Sequence, residues 1–311
     1  MKRVLLVGAG EVGAKHLAAL AGADGLTVAG IADPSPHAEL PPHTLVFASW
    51  RLALTVLSPD LVVVAAPPGT ALAAARDAAA TGAAVLVEKP ATTAHDALSR
   101  RPGDERIFVG FQPHFAPGLD RLLDRPPAID EAEVVLAVRR DSAYFRGWRR
   151  TYATAGGVLH QQAIHGLALA LRLMPGAAET VDATVEHRRG LAETEDHVTA
   201  AITLTGGRTV SVDARVDHHG PPRNELILHL ADGHRLHVQG RNLEAGLDAP
   251  AVAPTHEALR REMYAAVLDA ADGCPAHPCL FPLTALRRPL EVIDRVYRDA
   301  RVVQATDAAT A

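Results

Sequence analysis

The stretch Val4-Leu5-Leu6-Val7-Gly8-Ala9-Gly10-Glu11-Val12-Gly13-Ala14-Lys15-His16 decides the fold, because an apolar strand runs into G-x-G-x-x-G and opens a helix. In this pattern Gly8 permits a tight turn, Gly10 lets the backbone approach a pyrophosphate, and Gly13 lets helix and strand pack closely. The helix N-terminus then points its N–H groups at the anion. A second apolar stretch, Leu26-Thr27-Val28-Ala29-Gly30-Ile31-Ala32, ends in Asp33, about twenty residues after the glycines, where a carboxylate bonds ribose hydroxyls. The pattern predicts a dinucleotide site built on Gly8, Gly10, Glu11, Val12, Gly13 and Asp33.

A carboxylate at position 33 repels a 2′-phosphate, and Pro34-Ser35-Pro36-His37 supplies no Arg to offset it. NAD is therefore the expected cofactor. NADP is the alternative, since Ser35 and His37 are able to meet a phosphate.

At 311 residues the chain exceeds the usual single-domain length, which predicts a dinucleotide domain at 1–117 and a second domain at 118–311. The net charge of −5, with acidic and basic residues interspersed, gives no basic stripe for nucleic acid. Only Cys274 and Cys279 are cysteines, too few for a secreted disulfide framework, and the Val4–Val7 run is too short for a signal peptide; a cytoplasmic location is expected. Charged residues or prolines interrupt every long apolar run, so no membrane span is expected. Cys274-Pro275-Ala276-His277-Pro278-Cys279 lacks the second ligand pair of a zinc knuckle and reads as a loop, with no metal expected.

After Asp33, continuous apolar runs at Thr44–Phe47, Leu61–Ala66, Ala83–Val87 and Ile107–Gly110 alternate with helical stretches such as Ala71–Thr81. Strands buried on both faces between helices form a parallel, doubly wound sheet. From Glu131 the texture changes. Glu133–Arg139 is strand-like and Val158–Met174 helical. Val198–Leu204, Val210–Val216, Leu226–Leu230 and Leu236–Val238 then alternate with period two. That predicts an α+β domain with a mainly antiparallel, open sheet, closed by helices near Glu257–Ala271 and Thr284–Arg301. Its polar face, with Thr199, Thr203, Ser211, Asp213, Arg215, His229 and His237, is left either for solvent or for a partner subunit of a homodimer or homotetramer. Thr306–Ala311 is expected to fray.

The strand at Val85–Val87 ends in Glu88-Lys89-Pro90, and ligands of open α/β sheets lie beyond the carboxyl ends of the strands. Of the 31 Lys and Arg residues only Lys2, Lys15 and Lys89 are lysines, so a lysine at 89 was kept where Arg serves elsewhere. Arg holds its proton at usable pH, whereas a partly buried Lys donates and accepts one. Lys89 is the first catalytic candidate. The segment Tyr144-Phe145-Arg146-Gly147-Trp148-Arg149-Arg150-Thr151-Tyr152 mixes aromatics with guanidiniums, which suits stacking on a sugar or base and clamping a phosphate or carboxylate.

The sequences GAGEVGAKH at 8–16, LVVVAAPPG at 61–69 and above all VLVEKP at 85–90 resemble the glucose-fructose oxidoreductase/inositol dehydrogenase/MocA (Gfo/Idh/MocA) family. The resemblance runs on through Gly110-Phe111-Gln112-Pro113-His114-Phe115-Ala116-Pro117, Gly156-Gly157 with the later Ile164-His165, and Val296-Tyr297-Arg298-Asp299-Ala300-Arg301. It implies a Rossmann domain followed by an α+β domain, NAD(P) as cofactor, and hydride transfer at a secondary alcohol of a sugar, nucleotide sugar or cyclitol. Pro67, Glu88, Lys89 and Gln112 would join the cofactor site. Lys89 and His165 would be catalytic. Tyr144, Trp148, Arg149, His160, Gln161, Gln162 and His114 would face the substrate, the Trp-Arg pair as in relatives acting on nucleotide-linked sugars.

Two departures from the family pattern bear on mechanism. The acidic residue expected four positions before the His is Gln161, and the His expected in a strand-to-helix turn is Ala71. On an α-helix Gln161 and His165 share a face, so Gln161 orients without taking a proton and acid/base work rests on Lys89 and His165. His160, about 140° around that helix from His165, is a wall residue or a structural histidine. Two other readings stay open: an NAD-dependent glycosidase-type elimination, and a non-catalytic cofactor-binding protein.

Overall fold

The six-stranded sheet grows outward from the strand that precedes the glycines. In β1 (Lys2–Val7) the residues Val4–Val7 are all buried. It is joined by β2 (Leu26–Ala32), β3 (Leu45–Phe47), β4 (Leu61–Val64), β5 (Ala84–Glu88) and β6 (Ile107–Gly110) in the order β3-β2-β1-β4-β5-β6, every pairing parallel. Chain order reverses between β1 and β4, which opens a crevice at the carboxyl ends of the strands and defines a Rossmann sheet. The computed structural model describes residues 1–36, 39–42, 44–244 and 253–304, so His37 and the 306–311 tail lie outside the described residues.

Helices α1 (Glu11–Ala21), α2 (Trp50–Leu57) and α3 (Pro68–Ala80) are the crossovers. In α3 the buried face is Ala71, Ala74, Ala75, Ala78 and Ala79, a helical spacing of small side chains. Pro68 falls in its first turn, where the missing N–H costs nothing.

The chain then forms α4 (Leu119–Asp124), β7 (Ile129–Ala137), α5 (Tyr152–Ala155), α6 (Ile164–Leu173) and the strands β8 (Ala178–His187), β9 (His197–Leu204), β10 (Thr209–Arg215), β11 (Arg223–Leu230), β12 (Arg235–Gln239) and β13 (Asn242–Glu244). With β14 (Arg301–Gln304) these make an eight-stranded sheet ordered β13-β12-β11-β7-β10-β9-β8-β14. It is antiparallel except at β7–β10 and β8–β14. The alternation read from sequence is its burial: Val198, Ala200, Ile202 and Leu204 of β9 and Val210, Val212 and Ala214 of β10 all face inward. On the outward face His229 Nε2 meets Glu133 Oε1 at 2.5 Å, His197 Nε2 meets Asp213 Oδ1 at 2.8 Å, and His237 Nδ1 meets Glu244 Oε2 at 2.9 Å.

Two elements differ from expectation. The helix expected over Val158–Met174 starts with a π-helical turn, Leu159–Ala163, before α6. Strand β14 follows α8 (Arg287–Asp299) just past the helix expected over Thr284–Arg301, where no strand was foreseen; its four residues are all exposed, so no apolar periodicity announces it.

By internal contact the chain divides into two compact units. One is Met1–Thr92, Asp96–Ala116 and Pro254–Leu286; the other is Thr93–His95, Pro117–Ala253 and Arg287–Ala311. Where the sequence reading assigns all of 118–311 to the second domain, 254–286 groups with the first. The reason is α7 (His256–Ala271), whose apolar side, Leu259, Met263, Tyr264 and Val267, is buried as it packs on α1, β5 and the Gln112–Phe115 turn. The Cys274–Cys279 segment is the loop that follows α7, with Cys274 exposed and Cys279 buried.

Candidate active site

The glycine turn is fixed by close packing. Gly8 takes φ +93°, and a Cβ there would sit 2.6 Å from the Ala65 carbonyl oxygen at the end of β4. A Cβ on Gly13 would sit 2.2 Å from the Gly8 oxygen, which keeps α1 tight against the turn. At Gly10 a Cβ would meet nothing within 4 Å. The turn is thus closed on its protein side and open where a pyrophosphate would lie. Helix α1 starts without a side-chain cap, and the positive end of its dipole lies at the glycine turn.

Asp33 follows β2 and serves the same turn. Its Oδ2 accepts from the Ala9 N–H and its Oδ1 from the Ser35 N–H, both at 2.7 Å. Each oxygen keeps a second lone pair for a ribose hydroxyl. Glu11 is exposed and pairs with Lys15 at 2.8 Å, Val12 is half-buried, and Pro67 is exposed just before α3. These residues fit a dinucleotide: an anion-ready helix end, an open glycine and a carboxylate at the end of the neighbouring strand.

At the end of β5 stand Glu88 and Lys89, both half-buried. Glu88 Oε1 is 2.9 Å from Nε2 of the buried His16, whose Nδ1 is 2.6 Å from the Tyr264 hydroxyl. Burial would raise the Glu88 carboxyl, but the His16 hydrogen bond and the positive charge of His16, Lys89 and Arg260 bring it below its ordinary value. His16 and Tyr264 were missed in the sequence. The signal available was His16, placed three residues after the last glycine. In the same unit, Gln112 Nε2 is 3.1 Å from His256 Nδ1, and His114 is buried, stacked on Phe111 at 4.9 Å.

In the second unit the aromatic–arginine segment and the helical segment meet through one directional chain. Arg140 donates to Gln162 Oε1 at 2.9 Å, the Gln162 amide donates to the Tyr144 hydroxyl, that hydroxyl donates to Gln161 Oε1 at 3.2 Å, and Gln161 Nε2 donates to the Gly156 carbonyl at 3.0 Å. The run of donors fixes the orientation of both amides. The guanidinium of Arg149 lies 4.9 Å from the Tyr144 ring and 4.5 Å from the Trp148 ring, and that of Arg140 lies 4.8 Å over Tyr144. Arg140 is the member sequence reasoning missed, although it stands four residues before Tyr144.

His165 is half-buried at the start of α6. The preceding turn is π-helical, and within it Gln161 is tied to Tyr144 and Gly156. His160 is fully buried, stacked on Tyr297 at 5.6 Å with Tyr152 edge-on at 5.9 Å. The structure thus brings Tyr144, Trp148, Arg149, Gln161 and Gln162 into one cluster and packs the rings of His114 and His160 inside their own units.

Comparison with known proteins agrees with this anatomy. Residues 2–100 match the model of an oxidoreductase family with an NAD-binding Rossmann fold, and residues 129–240 match the GFO/IDH/MocA C-terminal domain. Among solved structures, the WlbA dehydrogenase from Bordetella pertussis in complex with NADH and UDP-GlcNAcA is 24% identical, with a TM-score of 0.78 over 96% of each chain. UDP-N-acetylglucosamine 3-dehydrogenase GnnA from Acidithiobacillus ferrooxidans is 21% identical, with a TM-score of 0.77 over 96% of this chain and 97% of that one. A myo-inositol dehydrogenase from Corynebacterium glutamicum is 18% identical, with a TM-score of 0.74 over 96% of each. No curated protein sequence gives a significant match.

Proposed function

Because the chain belongs to the Gfo/Idh/MocA oxidoreductase family and its first unit is an NAD-binding Rossmann domain, we propose that it transfers a hydride between NAD(H) and a secondary alcohol or ketone of a sugar, nucleotide sugar or cyclitol. The observation that carries the reading is that the open glycine turn, Asp33 and Glu88-Lys89 all lie at carboxyl ends of strands of one parallel sheet. Gly8–Gly13 hold the pyrophosphate and Asp33 the adenosine ribose, with Pro67, Glu88 and Gln112 along the same sheet edge. The bound nicotinamide supplies the hydride acceptor or donor. Lys89 and His165 are the proton-transfer residues, since an alcohol gives up its hydroxyl proton as the hydride leaves. Tyr144, Trp148 and Arg149 present aromatic faces and a guanidinium to the sugar and any anionic group it bears, while Gln161 and Gln162 hold Tyr144 in place.

Incubation with NAD and with myo-inositol, glucose or UDP-N-acetylglucosamine, followed by NADH absorbance, tests the reading. Turnover on one of them supports it, and cofactor binding without hydride exchange on a broader panel of sugars and cyclitols would reject it in favour of a non-catalytic role. We assign the outward face of the second sheet to contact between copies of the chain in a homodimer or homotetramer, and a monomer mass by light scattering at micromolar concentration would reject that. Two free thiols accord with a cytoplasmic location.

A further inference from the structure

The helical segment that carries Gln161, Gln162 and His165 begins after a glycine pair and has no side-chain cap at its start. Its leading N–H groups are nevertheless met one by one. Gly157 donates to His160 Nδ1 at 3.3 Å, Val158 donates to Glu195 Oε1 at 2.6 Å, and Leu159 donates to the Tyr297 hydroxyl oxygen at 2.9 Å. The Tyr297 hydroxyl in turn donates to the same Glu195 oxygen at 2.6 Å. Helix starts left without such acceptors are costly when buried, and here the acceptors for Val158 and Leu159 come from a loop before β9 and from α8.

The glycine pair is shaped to this arrangement. A Cβ on Gly157 would lie 2.2 Å from the Tyr297 hydroxyl oxygen and 2.7 Å from Glu195 Oε1, and one on Gly156 would lie 2.4 Å from the His160 ring. Gly156 also takes φ +66°, where side chains are disfavoured. Burial raises both the Glu195 carboxyl and the Tyr297 hydroxyl, so Tyr297 stays a donor across the working pH range.

We propose that Glu195 and Tyr297 are positioning residues for the reaction: as an external cap they fix the π-helical start and with it the placement of Gln161, Gln162 and His165. The proposal rests on the reading of His165 as a proton-transfer residue. A displacement of about 1 Å at a reacting group costs up to about a hundredfold in rate. That is the scale on which such a cap acts.

Three variants test it. Tyr297→Phe removes one hydroxyl and keeps the ring against His160. Glu195→Leu removes the shared acceptor. Glu195→Gln restores that acceptor, because both donors use a single carboxylate oxygen. The first readout is amide hydrogen exchange of residues 157–165 in the NAD-bound protein. Exchange should speed up at least tenfold in Tyr297→Phe and Glu195→Leu and stay within threefold of wild type in Glu195→Gln. Turnover of UDP-N-acetylglucosamine or myo-inositol should follow the same order, with kcat lowered ten- to a hundredfold and NAD affinity unchanged. Unchanged exchange in the first two variants overturns the proposal whatever the activity. Loss of exchange protection with wild-type kcat also overturns it, provided His165→Ala is inactive. If His165→Ala is itself fully active, the reading of His165 has failed, and the cap is decided by hydrogen exchange and by rescue in Glu195→Gln.

Discussion

His16 Nε2 lies 2.9 Å from Glu88 Oε1, so the helix that leaves the glycine turn and the strand that ends in Glu88, next to Lys89, are joined by a partly buried side-chain bond. Tyr264 completes it from α7, a helix distant in sequence. His16→Phe leaves the Glu88 carboxylate and the Tyr264 hydroxyl without that partner and should destabilise the protein by about 1–3 kcal/mol. A double-mutant cycle with Glu88→Gln, read by urea denaturation, should show coupling between the two changes. Strict additivity would mean the bond contributes nothing.

The first unit was legible because its signals are local: apolar runs of strand length, glycines at fixed spacing, and an acidic residue at the end of β2. The partners of those signals were not. His16–Glu88–Tyr264 joins positions separated by up to 248 residues, and neither composition nor period links them. In the second unit the alternation of β9 to β12 was clear, whereas β8 was passed over because little besides Ala183 and Val185 is buried along it. The cluster on Tyr144 was half legible. Unusual composition marked the segment, but the donor chain from Arg140 to Gly156 depends on a π-helical turn that a 3.6-residue period does not reveal.

Asp33 braces the turn through Ala9, and we propose that it also selects the cofactor. Asp33→Ser should weaken NAD relative to NADP by about 1.5–3 kcal/mol, the worth of a hydrogen bond to a charged group. Titration of both cofactors into both proteins checks it. An unchanged preference would remove Asp33 from the ribose site.

Lys89→Met and His165→Ala should each lower turnover by about 10²–10⁴ while NAD still binds, as expected for removal of a general acid or base. Gln161→Asp should keep activity with a shifted pH profile, since it returns a titratable group to that position. Near-wild-type turnover in both Lys89→Met and His165→Ala would reject the proposed mechanism.

Tyr144 holds Gln161 and Gln162 through its hydroxyl and stacks with Arg140 and Arg149 through its ring. Tyr144→Phe should therefore separate the two roles, costing about 0.5–1.5 kcal/mol for the hydrogen bonds with stacking retained. Arg149→Met should raise KM with kcat nearly unchanged, the mark of uniform binding. A fall in kcat at constant KM in Arg149→Met would place that guanidinium in the chemical step instead.

Burial pushes the His160 imidazole down from its ordinary value to about 4, against a smaller upward pull from the Thr93 backbone, and its Nδ1 acts as an acceptor for Gly157. An unfolded chain protonates this histidine near pH 6.5, so between about pH 6.5 and 4 the unfolded state binds a proton that the folded state refuses. The stability contributed by a neutral His160 is thus full above pH 6.5 and lost as pH falls toward 4, by up to about 3 kcal/mol at 1.36 kcal/mol per unit. Glu195 in the same cluster has the opposite sign: burial raises its carboxyl, so its penalty grows as pH rises above the ordinary glutamate value. The total slope therefore mixes both groups, and the difference between wild type and His160→Asn isolates the histidine, because Asn offers Gly157 an acceptor but does not titrate. Urea denaturation from pH 4.5 to 7 should show wild type losing stability toward acid relative to the variant, with a slope approaching one proton near pH 5. Superimposable pH profiles would mean that His160 takes up its proton in the folded protein as readily as in the unfolded chain, against its burial as a neutral acceptor for Gly157.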